Sequence, residues 1–466
     1  MSFVTINKAG SHQDLQPFTY QYYEIIPFFT FSDEVFPLNT LFQKLFYMSD
    51  QKTNVRTELL AGVTAFITVA YIIVVNGAIL HTVGMPFEAA IIATVICSFL
   101  GCMLMAFWAN SPIIIIPGMG DNAFFVYTLV LSLGLSWQQA LAAVFIAGVV
   151  FMLTTVTKGA EFLTKAIPTS MIHAMTAGIG FFIAFLGLKN GGVIVANEST
   201  FVQLASITDP YALTTLLTLL LVLVLFLRNV KGNFLIGIIA GTLIGAVLGI
   251  VDFSSLKDFS LSFGGYSELF LAFDFSAINT LNFWTAVFSL SIVIIFQNMG
   301  AQLGMLPDKS KFKKSFQANA FSVISAGIFG CSPTTTAAET ATGVAAGGRT
   351  GLTSFTAGIL FIPALFVIPL LKIIPSSAIA PVLIIVGCLM IQSIKEIPLQ
   401  DFTEAFPAYL MFAIMPLSFS VANGIAFGFI AYPLVKLITG RRKEVSVTMY
   451  VIALVFLLYF ILGSIL

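Results

Sequence analysis

The chain has 466 residues, 58% of them hydrophobic and only 9% charged, with no net charge and a mean hydropathy of +1.00. An average soluble domain carries about 25% charged residues, so a water-facing coat is excluded and the surplus apolar surface has to meet lipid. The balanced charge excludes a nucleic-acid footprint.

Residues 1–40 are mixed and aromatic, as in FTYQYYEIIPFF, and lack a basic start followed by an apolar core. They are expected to be a poorly ordered extension ahead of a transporter domain over 41–466. Apolar runs of about 20 residues predict membrane-spanning helices at 58–80, 87–108, 137–157, 168–188, 211–228, 233–251, 283–306, 313–330, 351–372, 376–394, 403–418 and 421–438. A further run, 447–464, is either an extra crossing or a surface helix. Two stretches do not read as plain spans: 111–133, SPIIIIPGMGDNAFFVYTLVLSL, and 330–349, GCSPTTTAAETATGVAAGGR. Each carries a Pro- or Gly-marked break followed by about three turns of helix.

Lys and Arg alternate regularly across these spans. Lys52 and Arg56, Lys158 and Lys165, Arg228 and Lys231, Lys309 to Lys314, and Arg349 share one side, with Lys372 as a single exception. The positive-inside rule then puts the N-terminus in the cytoplasm of a multi-pass protein. The two broken stretches occupy matching places in the two halves, which points to inverted repeats with a binding site near the midplane.

In the first break, Gly118 and Gly120 permit tight backbone geometry, and Asp121 or Asn122 is placed to cap the helix that follows. The alternative role for Asp121 is that of a cap alone. Phe124 and Phe125 could stack on a flat ring, although 47 phenylalanines make plain packing the commoner role. In the second break, Ser332 before Pro333 reads as a helix start, Thr334, Thr335 and Thr336 supply hydroxyls, and Glu339 falls about one turn into the helix. An intramembrane carboxylate is costly and points to function; Glu339 can accept from a base N–H or exchange a proton. Gln297, Asn298 and Gln302 interrupt an apolar run; amides can bond a base edge bidentately or glue helices together. Ligand contact is favoured for Gln297 and packing for Gln302, with Asn76 and Tyr71 as further candidates. His173 reads as an interior histidine. The three histidines and the four cysteines, Cys97, Cys102, Cys331 and Cys388, lack ligand or CxxC spacing, so neither a metal nor a cofactor is expected.

Several stretches together resemble the AzgA-like branch of the nucleobase–cation symporter-2 family, the adenine/guanine/hypoxanthine permeases. They are RTELLAGVTAFITVAYIIVVN (56–76), PGMGDNAFFVYTLVLSLGLSWQQALAAVFIAG (117–148), AIPTSMIHAMTAGIGFFIAFLGLKNGG (166–192), TAAETATGVAAGGRTGLTSFTAGILF (336–361) and PAYLMFAIMPLSFSVANGIAFGFI (407–430). The resemblance covers roughly 41–460. It implies an all-α fold of about fourteen transmembrane segments in a seven-plus-seven inverted repeat, with discontinuous helices 3 and 10 that begin in short extended pieces. It implies a core (about 56–157 and 283–372) that holds the base and a gate (about 166–251 and 375–438). The base contact of the tenth span falls on Glu339.

Two departures stand out. Gln297 takes the place of an acid usual in the eighth span, and Ile294 that of a second one. Asp121 stands where a leucine is usual. The expectation is a proton-coupled purine importer of the cell membrane, with Glu339, Gln297, Asp121, Asn122, Phe124, Thr335, Thr336 and Asn76 at the substrate and with Glu339 and Asp121 carrying the proton. The alternative is a transporter of another small planar or anionic solute on the same fold, not necessarily proton-coupled. The composition leaves the oligomeric state open, a homodimer included.

Overall fold

A computed structural model describes residues 37–157, 167–251, 253 and 264–465 of the chain. The expectations for residues 1–36, Lys158 and Lys165 lie outside the described residues. The first described element is a short helix, α1 (Pro37–Leu45), followed by Phe46 and Met48, which are buried beside Ala106 and Leu352.

The first half then runs through α2 (Val55–Val69) and α3 (Ile72–His81), which together form span 1, and α4 (Phe87–Phe107), span 2. Span 3 is the extended piece β1 (Ile115–Pro117), the short helix α5 (Met119–Ala123) and a π-helical run, Phe124–Ser132. Spans 4 to 7 are α6 (Trp137–Val156), α7 (Thr169–Asn190), α8 (Pro210–Leu227) and α9 (Asn233–Val247). The second half repeats the order. Spans 8 and 9 are α10 (Leu281–Met305) and α11 (Phe312–Ile328). Span 10 is β4 (Thr334–Thr336) with α12 (Thr340–Ala345). An exposed hairpin, β2 (Ile194–Asn197) with β3 (Phe201–Leu204), joins spans 5 and 6. Span 11 begins as α13 (Gly351–Phe361) and continues to α14 (Ile368–Leu371); spans 12 to 14 are α15 (Ser376–Ile391), α16 (Phe402–Leu417) and α17 (Val421–Ile438).

Local chemistry sets many of these ends. Ser136 and Gln139 form a reciprocal capping box that starts α6. Asp209 accepts from the Tyr211 and Ala212 amides ahead of Pro210 to start α8. Among the described residues, nine helices are long and apolar enough to cross a membrane, and α9, α16 and the last helix are shorter apolar ones.

That last helix, α18 (Val447–Ile465), runs back along span 14. Phe460 packs on Phe427 and Phe456 on Phe429, so the two helices are antiparallel, and Phe456 also meets Phe288 of span 8. At about 1.5 Å per residue, α18 has the reach of a crossing. The turn between them is held by ions. Arg441 bonds Asp401 and Glu444 at 2.6 Å, and hydrogen bonds from Arg441 and Lys436 push the Glu444 carboxyl down to about 2. The single exception in the Lys/Arg pattern, Lys372, is paired with Glu88 at the start of span 2, so it adds no net charge to its side.

The helices pack in two groups. Spans 1 and 2 pack on span 11, and spans 2 and 4 on span 9; spans 5, 6 and 7 pack on span 12, and spans 5 and 14 on span 13. Fewer contacts cross between the groups, among them span 1 with span 7, span 3 with span 5, and span 8 with span 14.

Candidate functional site

The two interrupted spans meet through their extended pieces. β1 and β4 pair antiparallel, with Ile115 opposite Thr336, Ile116 opposite Thr335 and Pro117 opposite Thr334. The sequence favours this locally. A run of four isoleucines and a run of three threonines are β-branched and resist helix, and Pro117 and Pro333 sit where a helical amide bond would be lost. Backbone at membrane depth needs internal partners. The pair supplies them: the Gly118 amide donates to the Pro333 carbonyl at 3.2 Å, and the Ala337 amide to the Ile114 carbonyl at 2.9 Å.

This pairing corrects the expected helix starts. Residue Gly118, not Asp121 or Asn122, precedes the first short helix, and no side chain caps it. Ser332 and Pro333 do not open a helix, because the following threonines are spent on β4. The second short helix begins only at Thr340 and has six residues, so it is shorter than three turns. Glu339 stands immediately before that helix rather than a turn inside it.

Side chains from five spans tie this crossing together. Ser332 lies 2.7 Å from the Asn122 amide oxygen and 3.2 Å from that of Asn76, with its hydroxyl as donor. Asn76 donates to Thr94 at 2.8 Å and to the Cys331 sulfur at 3.4 Å. From span 8, the Asn298 oxygen accepts from the Thr335 hydroxyl at 2.7 Å and from the Thr336 amide at 2.8 Å, and Gln302 donates to the Thr336 hydroxyl at 3.1 Å. All of these groups are buried. Asn76, Asn122, Thr335 and Thr336 are therefore brought together, but much of their bonding capacity is used within the protein. Gln302 has a packing partner; Asn298 is the residue of span 8 that holds the break. Its signal in the sequence was its place beside Gln297, about 100° round the helix and so on another face.

The remaining candidates differ in access. Glu339 and Gln297 are half-buried. The Tyr71 hydroxyl donates to Glu339 Oε1 at 2.5 Å, and the Gln297 amide oxygen has no partner. Around them Gly300 and Gly304 of span 8 are exposed, with nothing within 4 Å of an added Cβ, and Ala338, Ala341 and Thr342 of span 10 are also exposed. Asp121 is fully buried, and neither of its carboxyl oxygens has a hydrogen-bond partner. A Cβ added at Gly118 would come 2.4 Å from Asp121 Oδ2 and 2.3 Å from Thr335 Cγ2, which puts the Asp121 carboxyl against the strand crossing. Phe124 and Phe125 are buried in the apolar core. The four cysteines are free, three buried and Cys388 exposed.

A permease-family model matches residues 56–427, a span that contains both breaks and the Glu339 region. The chain belongs to the nucleobase–cation symporter-2 family. Among its curated relatives, the nucleobase transporter PlAzg2 of Paenibacillus larvae is 41% identical over 81% of this chain and 77% of its own length. The guanine/hypoxanthine permease PbuO of Bacillus subtilis is 37% identical over 88% and 98%, and the adenine permease AdeP of Escherichia coli is 34% identical over 90% and 95%. Solved structures share the fold. The transmembrane domain of the cyanobacterial bicarbonate transporter BicA matches with a TM-score of 0.63 at 16% identity, over 79% of this chain and 97% of that one. The murine Slc26a9 anion transporter in its inward-facing state matches with a TM-score of 0.60 at 14% identity, over 88% and 73%. The family member described here thus has the seven-plus-seven inverted-repeat fold, and the antiparallel pair β1–β4 joins the interrupted spans of its two repeats.

Proposed function

We propose that the chain is a secondary active transporter that imports purine nucleobases (hypoxanthine, guanine and adenine) across the cell membrane by proton symport, with its N-terminus in the cytoplasm. The guanine/hypoxanthine permease PbuO and the adenine permease AdeP, as relatives, support the substrate class. The observation that carries the reading is the half-buried Glu339, standing at the start of a half-helix beside the strand crossing with one oxygen held by Tyr71. A carboxylate so placed accepts an N–H from a purine ring edge in a charge-assisted bond. The unpartnered side-chain oxygen of Gln297 offers an acceptor to a second edge of the base. Gly300 and Gly304 of span 8 and Ala338, Ala341 and Thr342 of span 10 are exposed and small, and a flat solute approaches over them.

Asp121 takes the proton. It is a buried carboxyl without a hydrogen-bond partner, and an isolated buried charge is costly enough that such a group cycles through its neutral form. It stands in for the acid that Gln297 lacks. The two packing groups correspond to a core and a gate, and their sparser mutual contacts suit alternating access by rocking about a fixed midplane site.

The test is uptake of radiolabelled hypoxanthine, guanine, adenine and xanthine by cells devoid of purine uptake, with and without a protonophore. Protonophore-sensitive accumulation of at least one purine is expected, lost in Asp121→Asn while binding persists. Accumulation untouched by the protonophore, or unchanged in Asp121→Asn, contradicts the proton route.

A further inference from the structure

Tyr71 sits at the joint of span 1, where α2 ends and α3 begins, and it is 2% exposed. Its two ends contact different parts of the molecule. The hydroxyl donates to Glu339 Oε1 at 2.5 Å. The ring meets Phe234 edge-on, with centroids 5.2 Å apart and planes at 74°, a favourable aromatic geometry. Phe234 is the second residue of α9 in span 7, and it also stacks on Phe226 near the end of span 6 at 6.3 Å. The start of α9 is pressed against span 1 at a neighbouring point: Gly232 has φ +73°, and a Cβ added there would come 2.7 Å from Ile67 Cγ2. Span 1 packs chiefly with span 11, and span 7 with spans 6 and 12, so Tyr71 bridges the two packing groups at the acid of the site.

We propose that Tyr71 is a positioning residue that links the state of Glu339 to the seating of span 7, so that base binding and the movement of span 7 are coupled through one side chain. This inference rests on the reading of Glu339 as the base-binding acid. The hydroxyl fixes one carboxylate oxygen and thereby orients the group for the base. When a base draws on the same carboxylate, the phenol shifts with it, and its ring transmits that shift to Phe234. A ring wedged between two groups of packed helices is suited to this, because packed interfaces respond in steps rather than by continuous deformation.

The two contacts are separable. Tyr71→Phe keeps the ring and removes the hydroxyl; Phe234→Leu keeps the hydroxyl bond and removes the aromatic edge. The experiment measures Kd for hypoxanthine, guanine and adenine by calorimetry on the purified full chain, and KM and maximal rate of uptake in proteoliposomes. Tyr71→Phe is expected to weaken Kd at least about 10-fold, the effect of one lost hydrogen bond to a charged group. Phe234→Leu is expected to leave Kd within about two-fold and lower the maximal rate about 5-fold, in keeping with one lost aromatic pair. In the double variant the maximal rate falls no further than in Phe234→Leu alone, because the link is already cut; single losses of rate that multiply in the double variant overturn the coupling. Elution as a single species with wild-type melting establishes that each variant folds; for a variant that does not, Tyr71→Leu, expected to show the loss of affinity and of rate together, or Phe234→Met, expected to show the loss of rate alone, replaces it. Two variants that change Kd and rate in parallel, or that change neither, overturn the coupling. Wild-type protein that binds none of the bases overturns the base-binding reading as well, whereas normal wild-type binding with unaffected variants overturns only the role of Tyr71.

Discussion

Most of the polar side chains at the centre of this protein bond one another, and few are left over. Asn298 is the clearest case of the first kind. One amide oxygen serves the Thr335 hydroxyl and the Thr336 amide, while its nitrogen donates to the Ile294 carbonyl at 2.7 Å. Asn298→Ala leaves buried donors unmet, each costing about 1–3 kcal/mol. The expected result is a lower melting temperature in detergent together with weaker base binding, since β4 loses its support. Gln297, its neighbour in sequence, is half-buried with a free acceptor, so Gln297→Ala should melt near wild type and lose affinity only. The sequence placed both amides in an apolar run and favoured Gln297 for the ligand, but it gave no sign that Asn298 would hold the break. That role depends on which helix face meets β4, and the partner lies 37 residues away along the chain.

At the scale of elements, the strand crossing is the feature that local sequence half-revealed. The β-branched runs and their prolines marked both breaks, and the spans themselves were visible from apolar length: 283–306 was expected and Leu281–Met305 is found. The exact start of the second short helix was not legible. Ser332–Pro333 is a good local helix start, yet it loses to pairing with Ile115–Pro117, more than 200 residues earlier, and no local pattern reports a contact of that range. Gly118 is where this crossing is tightest. Gly118→Ala drives a methyl into Thr335 Cγ2 and Asp121 Oδ2, so reduced stability and lost uptake are expected. Adding Thr335→Ser, which removes Cγ2 and keeps the hydroxyl for Asn298, should restore part of the melting temperature. If Gly118→Ala melts like wild type, the close approach of the two breaks is not as described.

Over the whole molecule, the composition already required lipid, and the matched positions of the two breaks already implied inverted repeats. The grouping of helices follows from packing that composition does not encode: span 12 serves spans 5, 6 and 7, while span 11 serves spans 1 and 2. The fold by itself names no substrate, since bicarbonate and anion transporters share it at 16% and 14% identity. Substrate recognition rests on the acid at the crossing. Its most direct test is equilibrium binding of hypoxanthine, guanine and adenine to purified wild type and to Glu339→Gln. The account predicts saturable wild-type binding of at least one of these purines, weakened at least about 10-fold in Glu339→Gln through loss of a charge-assisted bond. Equal purine affinity in the two proteins would contradict it.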